Sequence, residues 1–275
     1  MISAIQKKED HTIILTVTIP SDDVMATRKQ VVEELAKSAN VPGFRKGKAP
    51  AGMVEDKLDP EAIREEILKK LLSKYYIQAV EEHKVQPIVT PKIHIQAVEE
   101  GKDWQFTATT CELPPITLGK YQEKVKSVTA KSKIVIPGKE KLGPSLDEII
   151  PALLETATVV IPRILVEQEV DRLLSRLLDD IKRLGLTLDQ YLGSTSRTIE
   201  SLRAEYEKKA ENDIKLELVL NKIAEDEKLV VEPKEVDEAI QKAKSDEEKK
   251  QLESNKYLLA SILRQQKTLD FLKNL

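Results

Sequence analysis

The sequence predicts an α+β N-terminal domain, a small antiparallel sheet with helices, followed by an all-α C-terminal domain. Three observations carry this. Apolar residues alternate over residues 11–19 and again over 93–108, the period-two signature of strands. From Pro144 onward apolar residues recur at helical spacing with few interruptions. Charged residues make up 33% of the 275-residue chain against 4% aromatics, a balance that suits long helices with solvated faces.

Ile13, Leu15, Val17 and Ile19 share one face of the first strand, with Thr12, Thr16 and Thr18 opposite and Ile14 breaking the alternation. Pro20, Ser21, Asp22 and Asp23 then supply a cap and early negative charge for a helix through about Ser38. Asp59, Pro60 and Glu61 start a second helix, a capping carboxylate ahead of a first-turn proline, which runs to about Glu82. Its stripe of Ile63, Ile67, Leu68, Leu71, Leu72, Tyr75 and Val80 reads as core. A hairpin follows, Ile93, Ile95 and Ala97 going out and Trp104, Phe106 and Ala108 returning. These elements make one domain, residues 1–113, closed by Pro114 and Pro115.

Residues 114–143 read as a basic linker. Between Lys120 and Lys141 seven lysines face two glutamates, a local charge of +5. With Pro137-Gly138 inside it, the interval is expected to be extended, with a short strand at 134–136. Residues 144–275 read as helices joined by short breaks. Ser145 to Glu148 is a capping box, Pro162 a new start, and Gly185 a stop after a stripe from Val166 to Leu184. Thr187 caps a short helix, and a long one spans about 198–227. Glu232-Pro233 opens another, and Ser245 caps the last.

Composition excludes several functions. A net charge of −3 argues against a general nucleic-acid surface, so any RNA contact must be local. A single cysteine, Cys111, fits a reducing compartment, and residues 1–10 lack the apolar core of an export signal. No segment is long and apolar enough to span a membrane, so the expected location is cytoplasmic. His11, His83, His94 and Cys111 have no metal-ligand spacing, and no catalytic, metal or cofactor site is expected.

The most informative stretch is Gly43-Phe44-Arg45-Lys46-Gly47-Lys48-Ala49-Pro50. Two glycines permit a tight bend, and Pro42 and Pro50 bias their predecessors away from helix. A ring between cations is poor core and good docking material. A phosphate-binding loop is excluded on spacing, because three residues separate the glycines and Ala49 follows Lys48.

This motif, behind an amphipathic N-terminal helix, resembles the ribosome-binding signature of bacterial trigger factor. Residues 161–174, 186–191 and 267–271 also resemble its C-terminal domain. The resemblance implies that Phe44, Arg45 and Lys46 contact an exit-tunnel ribosomal protein and adjacent rRNA, with Lys48 adding charge and Gly43 and Gly47 shaping the turn. It further implies an elongated helical half with a body and two arms, a cradle for nascent or unfolded polypeptides. The expected function is that of an ATP-independent chaperone. Self-association as a homodimer off the ribosome stays open. Family members usually carry an FK506-binding-type prolyl isomerase domain where residues 114–143 lie. That interval is too short for one, and Tyr121 is its one aromatic, so no isomerase is expected. The alternatives are isomerase activity after all, a helical interaction scaffold, or a related periplasmic chaperone.

Overall fold

The structure, a computed structural model, describes residues 2–38, 59–99, 101–132, 145–243 and 245–275. Two compact units emerge: Met1–Leu113 with Pro162–Ile164, and Pro114–Ile161 with Leu165–Leu275.

The first unit is a four-stranded antiparallel sheet covered by two helices. Strands β1 (Ile2–Lys7), β2 (Thr12–Ile19), β3 (Lys92–Ala97) and β4 (Trp104–Cys111) lie in the order β1-β2-β4-β3. β1 is an addition to the three strands expected; its alternation is broken by polar residues and it sits at an edge. The two central strands carry the core. Ile13, Leu15, Val17 and Ile19 stand opposite Thr110, Ala108, Phe106 and Trp104, so the apolar faces coincide pair by pair. Helices α1 (Ser21–Ser38) and α2 (Pro60–Glu82) close this face with Val24, Val31, Val32, Ile63, Ile67, Leu71, Tyr75 and Ala79. Asp59 caps α2 as its sequence predicts, accepting from the Glu61 amide at 3.0 Å. Polar side chains also reach from helix to helix. Lys70 meets Glu34 at 2.6 Å, and the Tyr75 hydroxyl donates to the Asp23 carboxylate. Burial and that carboxylate push the phenol well above its ordinary range.

At the far end of the sheet two carboxylates tie loops down. Asp10, in the β1–β2 turn, accepts from the Thr12 amide at 3.1 Å, the Thr12 hydroxyl at 2.9 Å and the Arg163 amide at 3.2 Å. Glu112 accepts from the Gln86 amide at 3.0 Å and from Lys7 at 3.1 Å. Burial works to raise Asp10, but the Arg163 amide and both Thr12 donors outweigh it and its pKa falls. The Gln86 amide, helped by Lys7, lowers Glu112 against a smaller burial effect.

The second unit begins with β5 (Ile116–Thr117), paired antiparallel with β6 (Thr158–Val159). Between them lie α3 (Tyr121–Ser132) and α4 (Leu146–Thr156). Here the expectation of an extended linker fails. Tyr121, Val125 and Thr129, four residues apart, are buried on one face of α3, and Lys124 pairs outward with Glu155 at 3.1 Å. The strand expected at 134–136 lies outside the described residues. Ser145 caps α4 through the Asp147 amide at 3.2 Å instead of closing the expected box with Glu148.

The remaining helices are α5 (Arg163–Arg183), α6 (Leu188–Thr195), α7 (Ile199–Asp226), α8 (Pro233–Gln241), α9 (Asp246–Ser254) and α10 (Lys256–Lys273). The single last helix expected after Ser245 is two, divided at Asn255. Thr187 and Thr198 both cap through reciprocal boxes, with Gln190 and Ser201. The 28-residue α7 serves two cores. Its first half meets α5 through Ala210, Val166, Val170 and Leu173. Its second half, Val219, Leu220 and Ile223, joins Tyr121, Val125, Ile149, Leu153 and Leu272. Tyr121 also donates to Glu227 at 2.7 Å, and burial together with this bond pushes its pKa up to about 12.

Gly119, between β5 and α3, has φ +58°, and a Cβ there would stand 2.6 Å from the Thr156 carbonyl oxygen. Gly119→Ala should therefore destabilise the helical unit by about 1–3 kcal/mol, read from denaturant unfolding by circular dichroism. An unchanged midpoint would show that the turn relaxes freely. A carboxyl whose folded pKa lies below its unfolded value adds stability that is complete above the unfolded pKa and lost as pH falls through the folded one. The ordinary values are 3.8 for Asp10 and 4.5 for Glu112, so stability should decline as pH drops below the upper of these. Asp10→Asn combined with Glu112→Gln should flatten that decline in acid titrations followed by Trp104 fluorescence.

Candidate functional site

All six residues of the sequence-derived docking site, Gly43, Phe44, Arg45, Lys46, Gly47 and Lys48, lie outside the described residues. What is described is the pair of helices that the segment joins. α1 and α2 pack on one face of the sheet and are cross-tied by Lys70–Glu34 and Tyr75–Asp23. The Asp59 cap fixes where α2 begins. The two helices on either side of the segment are thus packed on the sheet and tied to each other.

The helical unit shows where apolar side chains meet solvent. Burying a leucine stabilises by about 1.5–3 kcal/mol, so large apolar residues left outside mark contact surfaces when they gather. Several fall at two places in the chain. At the end of the α5–α7 hairpin, Leu184 is 75% exposed and Ile199 58% exposed, with Leu186 in the turn between them. Gly185, at φ +72°, ends α5 directly after Leu184. At the start of α10, Tyr257 is 96% exposed, and Leu258, Ile262 and nearby Val230 are exposed as well.

Leu184, Ile199 and Ile262 fall on the helical stripes of the sequence, which do not tell whether such a residue faces its own core or a client. In the structure all three are exposed. The signals that separate them are local. Leu184 and Ile199 adjoin a stop and a start, and Tyr257 follows the Asn255 break.

One cluster has the residue types of a hydrolase but not the wiring. The Ser3 hydroxyl lies 2.9 Å from His83 Nε2 and 2.7 Å from Glu82 Oε2. In a nucleophilic triad the carboxylate holds the other ring nitrogen. Here the Ser3 hydroxyl donates to the Glu82 carboxylate and the imidazole contacts the same oxygen, which pins the edge strand β1 to the end of α2. Cys111 is buried in β4, and burial pushes its thiol up to about 11, which leaves it protonated and a poor nucleophile. Among the described residues no group of three His, Cys, Asp or Glu side chains is placed to hold a metal. Among them, too, no helix is long and apolar enough to cross a membrane.

Comparison with known proteins agrees with this geometry. Residues 1–140 match the family model described as bacterial trigger factor protein, and residues 144–274 match that of its C-terminus. A trigger factor of Staphylococcus epidermidis strain RP62A is 33% identical over 150 residues, 54% of this chain and 34% of that protein. One from Staphylococcus aureus strain JH9 is 36% identical over 117 residues, 42% of this chain and 27% of that protein. These matches therefore span about a third of the relatives' own length. A solved structure from work on promiscuous substrate recognition in folding and assembly by the trigger factor chaperone superposes with a TM-score of 0.63. It covers 100% of this chain and 99% of that one at 11% identity, which establishes the shared fold. With both family models matched across its two halves, the chain belongs to the bacterial trigger factor family.

Proposed function

We propose that this protein is an ATP-independent chaperone of the cytoplasm that docks beside the ribosomal exit tunnel and shields emerging polypeptide. The observation that carries the reading is the exposure of Leu184, Leu186, Ile199, Tyr257, Leu258 and Ile262 on a unit that has two closed cores of its own. Aliphatic contacts are non-directional, so such surfaces accept many sequences weakly and release them without chemistry. Residues 43–48 supply the anchor. Arg45, Lys46 and Lys48 provide a salt-sensitive attraction to rRNA, and Phe44 buries its ring on a ribosomal protein.

The division of labour follows the proposed domains: residues 1–113 dock, 114–143 connect, and 144–275 hold clients. In place of an isomerase domain the connecting interval includes α3, which packs into the helical unit through Tyr121 and Val125. The protein is read as a chaperone without prolyl isomerase activity. A homodimer would form off the ribosome, where the same apolar surfaces lack clients.

Replacing Phe44, Arg45 and Lys46 together with alanine should abolish co-sedimentation with ribosomes at low salt while leaving the circular dichroism unfolding midpoint unchanged. Retained sedimentation would overturn the docking assignment. Leu184→Ser with Ile199→Ser should at least halve the suppression of aggregation of an unfolded client, measured by light scattering, with no loss of thermal stability. Undiminished suppression would move client binding away from the hairpin end.

A further inference from the structure

The first unit holds a cavity of about 650 Å³ whose walls follow from helical spacing. Val24, Arg28 and Val32, four residues apart, share one face of α1, with Met25 and Lys29 beside them. Ile63, Arg64 and Ile67 do the same on α2, and Val98, Gly101 and Lys102 line it from the β3–β4 turn. The volume falls within the roughly 300–1,000 Å³ usual for small-molecule sites.

The lining divides by chemistry. Val24, Val32, Ile63, Ile67 and Trp104 are buried and form an apolar floor. The indole N–H already donates to the Glu99 carbonyl at 3.1 Å, so the ring asks no hydrogen bond of a ligand. Met25, half exposed, adds an adaptable thioether wall. Charge sits at solvent-exposed positions, Lys29 from α1 and Arg64 from α2. Neither has an ion-pair partner among the described residues, whereas Lys102 is held by Glu99 at 2.5 Å. Glu33 is the one carboxylate on the described lining. Such a floor suits an alkyl chain, whose burial is non-directional, and a guanidinium offers a carboxylate two parallel hydrogen bonds.

We propose that this cavity binds a single-chain amphiphile with an anionic head, the chemistry of a free fatty acid. The chain lies over Trp104 between α1 and α2, and the carboxylate meets Arg64 and Lys29. A cationic head on the same chain would face those two like charges with Glu33 alone to offset them. The site lies within the first unit and does not depend on the chaperone reading, which rests on the helical unit and on residues 43–48.

Trp104 is the one tryptophan of the chain and lines the cavity, so its fluorescence reports on this site. Dodecanoate, added to the full chain below its micelle concentration, should shift Trp104 emission saturably and raise the unfolding midpoint read at that residue. It should bind about fivefold more tightly than dodecyltrimethylammonium at low salt, with the gap closing at high salt. Decanoate, two methylenes shorter, should bind about tenfold more weakly. Lys29→Gln with Arg64→Gln should erase the head preference, and Met25→Glu should weaken dodecanoate about tenfold. All three positions are solvent-exposed, so the fold should tolerate both variants; if Met25→Glu lowers the unfolding midpoint, the Gln pair alone decides. Equal affinity for the two heads would overturn the proposal, as would no response, or an unsaturable shift with a falling midpoint, the mark of detergent action. An unstructured acidic peptide that moved Trp104 at lower concentration than dodecanoate would make this a peptide site and overturn it too.

Discussion

The helical unit depends on one small closed core, where Val219, Leu220 and Ile223 of α7 meet Tyr121, Val125, Ile149, Leu153 and Leu272. These residues come from four helices separated widely in sequence, so the core fastens the start of the unit to its last helix. Because it absorbs only the second half of α7, the first half is free to form its own seam with α5. Beyond those two cores some helix-end side chains, Leu184, Ile199 and Tyr257 among them, are exposed.

On the proposed chaperone reading, that arrangement lets a chain with few aromatics be both stable and adhesive. Stability resides in buried aliphatic pairs and in caps such as Thr187, Thr198 and Asp59, each worth about 0.5–2 kcal/mol. Adhesion resides in residues whose removal changes no core. Substitution can tune one with little effect on the other, because sites far apart with no shared partners combine additively.

Much of this was legible in the residues. Period-two alternation located β2 and β4 and even their common face, since Ile13 to Ile19 and Trp104 to Ala108 have nowhere else to turn. Caps located nearly every helix start. The misses have physical causes. β1 alternates too weakly to announce itself and is held at the edge by pairing with β2. α3 hid because three buried positions, Tyr121, Val125 and Thr129, are embedded among lysines that face outward. A run of charge describes the solvent side of a helix as well as it describes a tether. The exposed surfaces were illegible for a different reason: periodicity tells which face is apolar, not whether another helix arrives to cover it. For the docking motif the sequence stands alone, since residues 43–48 lie outside the described structure.

The single cysteine has a use apart from any chemistry of its own. Cys111 ends the central strand β4, has no exposed surface, and is paired across the sheet with Thr12. A thiol reagent can reach it only when the strands part. Its labelling rate is therefore a built-in clock for breathing of the first unit, silent to events among the helices. Timed on and off a ribosome, that clock would report whether anchorage tightens the sheet that roots it.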